Sequence, residues 1–160
     1  MWLLVGFTAL LGAVNLVGMD VKSVSSVPYS TALEDAMKVA SLHDDWEVMR
    51  AAGVSMNPFY NGDSIIILDR SKFSELSAGM IVIYTDREGE LVGHTIIRRS
   101  DQGWIAKGLN NDVEDPVLVT EDNYVGTLFG VFNTSGALKD PSLLAAIGAD
   151  RMHIVIGKEY

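Results

Sequence analysis

The sequence predicts a mainly β domain of the α+β class, built from antiparallel strands and preceded by one or two short helices and an N-terminal apolar segment. From residue 54 onward, short apolar runs alternate with Gly-, Asp- and Pro-containing turns at close intervals. These runs leave no room for the crossover helices that a parallel sheet requires. Helix-type spacing of apolar residues occurs before Gly53. At 160 residues the chain is long enough for one domain with a proper core, burying about 70% of the surface its unfolded form would expose. No Pro/Ser-rich linker and no internal repeat divides it.

Residues 2–19 are apolar apart from Thr8 and Asn15 and carry no charge. A core helix at a domain edge needs a polar face, which this stretch lacks. Residues 1–20 are therefore expected to be a signal sequence or a membrane anchor. A basic leader and a clear small-residue cleavage site are missing, and the length is short for a span. Both alternatives stay open. They imply an exported protein, membrane-anchored or else periplasmic or extracellular.

Residues 21–30 read as a polar connector, and residues 31–52 as a helical lead-in. Thr31 and Glu34 form a capping-box pattern, with Leu33, Met37 and Ala40 at helical spacing on one side. A second helix is expected over residues 44–52, stopped by Gly53. Residues 53–133 then form the β-rich domain, with strands expected at 65–68, 80–85, 91–99, 103–107, 116–120 and 124–132. Residues 134–160 are expected to pack on it as a tail with a short helix at 142–147 and a last apolar run at 153–156.

Charge and composition narrow the chemistry. Twenty-one acidic against 12 basic residues give a net charge of −9. No basic run offers the clustered Lys/Arg of a nucleic-acid footprint. The absence of cysteine excludes disulfides, thiolate metal sites and a cysteine nucleophile. A serine nucleophile needs exposure, a base within hydrogen-bond reach and donors for the oxyanion. Ser55 lies in Gly53-Val54-Ser55-Met56-Asn57-Pro58, where Gly53 allows tight geometry and Pro58 stiffens the following chain. On that string alone it is an ordinary loop serine.

His94, in Leu91-Val-Gly-His-Thr-Ile-Ile-Arg-Arg99, is one of three histidines, and Gly93 beside it leaves room for another chain segment. Imidazole is the natural base at neutral pH. His43 and His153 read as structural or surface residues.

The order of the motifs then becomes specific. Ser55-Met56-x-Pro58, Gly62-Asp63 before an apolar strand, Gly79 before a second, Gly93-His94 in a third, and Lys107-Gly108-Leu109-Asn110-Asn111 follow one another. This arrangement, over roughly residues 53–128, resembles the signal peptidase I superfamily. It is most similar to the archaeal and endoplasmic-reticulum branch, which pairs serine with histidine. The bacterial branch and the LexA-like self-cleaving repressors use lysine, and no lysine occupies residues 92–99. A LexA-like repressor is also disfavoured by the missing basic DNA-binding half.

The resemblance implies a signal-peptidase/LexA-like peptidase fold and a serine endopeptidase that cleaves exported or membrane-associated precursors. It implies Ser55 as nucleophile, His94 as base and Asp115 as the acid, with Asp112 as the alternative acid. It places Gly53, Met56 and Pro58 around the serine as oxyanion- and substrate-positioning residues. The expected partners are a precursor polypeptide, bound as an extended strand against a sheet edge, and a membrane surface; nucleic acid is not one. No metal and no organic cofactor is required.

Two positions depart from the family pattern. Leu109 stands where the branch has an aspartate, and Gly53 where bacterial relatives have a hydroxyl donor. The oxyanion would then rest on backbone N–H groups, that of Ser55 included. Asp112, Glu114 and Asp115 also read as a solvated acidic loop. These departures keep an alternative open: a catalytically degenerate member of the same fold that binds peptides or other partners.

Overall fold

The computed structural model describes residues 26–135, 145 and 152–160. The segment 1–20 expected as a signal sequence or anchor and the helix expected at 142–147 lie outside these residues, Ala145 excepted. Among the described residues no helix is long and apolar enough to cross a membrane.

The chain enters through a bridge between Val27 and Thr134 and runs into helix α1, Tyr29–Ala40. Strands β1 (Trp46–Gly53), β2 (Ile65–Asp69), β3 (Ile81–Thr85), β4 (Leu91–Ser100), β5 (Gly103–Lys107), β6 (Tyr124–Phe132) and β7 (Ile154–Gly157) follow. Their order is β3-β6-β2-β1-β7-β4, and a β3–β4 pairing closes the ring. The result is a mainly β, six-stranded barrel. β5 lies outside it, paired to the second half of β4 from Thr95↔Lys107 to Ser100↔Gly103.

The sheet is mixed rather than purely antiparallel. β7 runs parallel to β1, from Arg50↔Ile154 to Gly53↔Gly157, and parallel to the start of β4 at Leu91↔Val155 and Val92↔Ile156. The tail's last segment is thus a stave of the barrel, a pairing across about a hundred residues that local pattern does not encode.

Residues 46–53 are a strand, not the expected second helix. Trp46, Val48 and Met49 are compatible with helical spacing, but partnership decides between the two. Trp46 and Val48 pack against the α1 side, whereas Met49 and Ala51 turn into the opposite core. Pairing of Val48 with Ile67 on one side and of Ala51 with Val155 on the other satisfies the backbone on both edges. Such tertiary partnership overrides a modest helix preference.

β2 shows the same logic in its continuous run of apolar residues. Ile65 and Ile67 face α1, while Ile66 and Leu68 join Met49, Met56, Ile83 and Val155. Both faces of the strand are covered, so it has no polar alternation.

The capping box expected at Thr31 does not form. The helix begins two residues earlier, with Pro28 at its N-cap and no side-chain cap, and Ala32 N–H bonds to the Pro28 carbonyl at 3.0 Å. Starting there brings Tyr29 into the buried face with Ala32, Leu33, Ala36 and Ala40. Glu34 pairs instead with Lys38, at 2.8 Å. Met37, expected on the buried side, is exposed. The strand expected at 116–120 reduces to a single bridge between Val119 and Trp104. The preceding backbone turns so that Asp115 is buried, its N–H bonded to the Ala106 carbonyl.

Candidate active site

Three elements converge on one point. Ser55 sits in the turn after β1, His94 in β4 opposite Val82, and Asp115 in the loop between β5 and β6. Ser55 Oγ lies 2.8 Å from His94 Nε2, and His94 Nδ1 lies 2.7 Å from Asp115 Oδ2. With a carboxylate accepting from Nδ1–H, Nε2 keeps its lone pair for the serine O–H. Ser55 and His94 are fully buried.

Each member is held from outside the relay. Asn110 N–H donates to the Ser55 carbonyl at 2.7 Å. Gly108 lets that loop pass close, since a Cβ there would come within 2.9 Å of Ser55 Cβ. Asp115 N–H bonds to the Ala106 carbonyl at 2.9 Å. Tyr84, buried on β3, donates its hydroxyl to Asp115 Oδ2 at 2.8 Å. Burial pushes the Tyr84 phenol well above its ordinary range, and the Asp115 charge and hydrogen bond push it the same way. It therefore stays a neutral donor.

Tyr84 and Gly108 are site residues that motif reasoning did not single out. Gly108 lay inside the Lys-Gly-x-Asn-Asn string, while nothing local marks Tyr84. Replacing Tyr84 by phenylalanine removes one donor from a buried carboxylate, an interaction worth about 1.5–3 kcal/mol. The expected result is a kcat lower by about tenfold with KM little changed. Equal kcat in the two proteins would show that the hydroxyl does not orient the acid.

The other expected residues fall in different places. The Asp112 side chain is exposed, and it is the Asp112 carbonyl that accepts from Lys107 Nζ at 3.1 Å. Asp112 is therefore displaced from the relay by the turn that buries Asp115. Glu114 pairs on the surface with Arg98 at 2.8 Å. Met56 is 1% exposed and packs in the core with Met49, Tyr60 and Ile66, directly after the serine. Pro58 borders an apolar cavity of about 850 Å³ with Phe59, Met80, Leu109 and Phe129. Leu109 thus faces that cavity, and the carboxylate that meets His94 lies six residues further along the chain, at Asp115. His43 stacks near Trp46, with ring centroids 4.1 Å apart, and His153 pairs with Glu47. Neither belongs to the site.

Among the described residues the backbone N–H of Ser55 has no acceptor, as an oxyanion donor would require. Gly53 supplies geometry rather than a donor. Its φ is +88°, and a Cβ there would fall 2.3 Å from the Gly157 carbonyl oxygen. Gly53→Ala combines left-handed strain with overpacking, together about 3 kcal/mol. The melting temperature should fall by roughly 10 °C, and an unchanged melting curve would show that this contact yields freely.

Among the described residues one group of carboxylates stands close enough to suggest a metal: Asp86, Glu88 and Glu90. All three instead surround the Lys158 ammonium. Comparison of the chain with protein-family models, with curated proteins and with solved structures gives no match.

Proposed function

We propose that this chain is a serine endopeptidase, similar to signal peptidase I of the serine–histidine branch, that cleaves exported or membrane-associated precursors. The observation that carries the reading is the continuous relay Ser55–His94–Asp115, with contacts of 2.8 and 2.7 Å. In the reaction, Ser55 Oγ attacks a peptide carbonyl while His94 Nε2 takes its proton. The tetrahedral oxyanion is stabilised by backbone N–H groups, that of Ser55 included. His94 then gives the proton to the leaving amine, and the acyl-serine forms. Water, deprotonated by His94, releases the acyl group and regenerates the serine. Asp115 keeps the imidazole in the productive tautomer and stabilises the imidazolium. The apolar residues 2–19 support placing this chemistry at a membrane face, and the apolar cavity beside Pro58 and Leu109 suits an apolar precursor.

The test is cleavage of a reporter precursor in lipid vesicles by the full chain and by its Ser55→Ala variant. Cleavage by the parent alone supports the reading. Equal cleavage by both would remove Ser55 as nucleophile, and cleavage by neither would favour the degenerate, peptide-binding member of the fold.

A further inference from the structure

Ser55 and His94 are both 0% exposed, yet a serine peptidase must admit a carbonyl carbon to Ser55 Oγ. Residues 154–160 of the same chain lie against it. β7 lies between the strand that leads to the nucleophile and the strand that carries the base. Gly157 pairs with Gly53, two residues before Ser55, and Ile156 pairs with Val92, two residues before His94. An extended peptide delivering a carbonyl to Ser55 by strand addition would use this slot. Gly157 lies so close that a Cβ there would sit 2.7 Å from Ser55 Oγ. Beyond it, Asn111 Nδ2 donates to the Lys158 carbonyl at 2.8 Å. The Tyr160 ring stands edge-on to His94, with centroids 6.1 Å apart.

Besides its backbone pairing with β1 and β4, its Asn111 contact and the buried Val155, the segment has one charged fastening. The Lys158 ammonium reaches Asp86, Glu88 and Glu90, the last at 2.8 Å, all from the turn between β3 and β4. These contacts raise the Lys158 amine above its ordinary range, its hydrogen bonds to Asp86, Glu88 and Glu90 being the leading cause.

We propose that residues 154–160 are an intramolecular occupant of the substrate slot, held shut by the Lys158 latch, and that the segment must lift before an external strand reaches Ser55. This rests on Ser55 being the nucleophile. It goes further by naming the regulator as the chain's own tail and by predicting glycine as the residue that fits against Ser55.

Two measurements on the full chain separate the two ideas. Backbone amide exchange over residues 53–57 and 154–158 reports lifting without any catalysis. Phosphonylation by a fluorophosphonate reports access to the nucleophile: the Ser55 Oγ–P bond forms, fluoride leaves and His94 takes the proton. Lys158→Glu should speed exchange in both segments by about tenfold, a local opening, and speed phosphonylation by a similar factor. Protection in β2 should be unchanged, and Lys158→Arg should behave as the parent.

Exchange unaltered by Lys158→Glu would overturn the latch. Loss of protection spread equally over β2, both in Lys158→Glu and in a chain ending at Gly157, would also overturn it, because the segment would then be only a structural stave. Faster local exchange with no phosphonylation in any form would leave the latch standing and remove Ser55 as nucleophile.

Discussion

Ser55→Ala should lower peptide-bond cleavage by about 10⁶-fold, the loss expected when the nucleophile of a serine–histidine relay is removed. The magnitude follows from the geometry. Ser55 Oγ is the atom within 2.8 Å of His94 Nε2, and an alanine methyl neither attacks nor carries a proton to the base. His94→Ala should cost about as much, because the serine hydroxyl is a weak nucleophile until its proton has somewhere to go. The double variant should be little worse than either single one, since the two groups act as a unit. The measurement is kcat/KM on a reporter peptide, with circular dichroism to show that the barrel persists. A loss below about tenfold in Ser55→Ala is too small for a nucleophile and would point to another group. Full additivity in the double variant would argue against a shared proton.

Asp115→Asn is expected to reduce kcat by about 10⁴-fold while Asp112→Asn leaves it unchanged, which makes the pair a direct test of which acid completes the relay. The Asp115 side chain is buried, with Oδ2 receiving both His94 Nδ1 and the Tyr84 hydroxyl. An amide there keeps the shape but carries no charge to stabilise the imidazolium as it forms. Its NH₂ would take the position of Oδ1, which is buried without a partner, and would add an unsatisfied donor to the site. Asp112 has no contact with the imidazole, so its charge is felt only through solvent. Equal losses in the two variants would mean that the whole acidic loop acts as a field. A large loss at Asp112 alone would reassign the acid.

Much of the site was legible in order rather than in any single residue. Ser55 in its Gly- and Pro-flanked loop was indistinct until Gly93-His94 and the Lys-Gly-x-Asn-Asn string followed at the right places. Leu109 cast doubt on the acid because chain position was standing in for location. The turn at residues 108–115 exposes Asp112 and buries Asp115, and no local pattern says which carboxylate a turn will bury. Tyr84 was hidden for a similar reason. It reads as one more residue in an apolar strand, and its role depends on a loop 31 residues later.

By itself the sequence determined what depends on neighbouring residues. The short β-branched runs and their Gly and Asp turns specify most of the strands, and the serine, histidine and aspartate bring the chemistry they can perform. Tertiary structure alone decided what depends on distant partners. Trp46–Gly53 is a strand because β2 and β7 satisfy its two edges. The sheet closes because β3 finds β4 as well as β6. The C-terminal run lies over Ser55 because its backbone pairs with β1 and β4 and its lysine meets three carboxylates. Local spacing encodes the period of an element, but not which edge it will pair with or which atom it will cover. Those follow from the lowest free energy of the whole chain, where backbone pairing and apolar burial outweigh local preference.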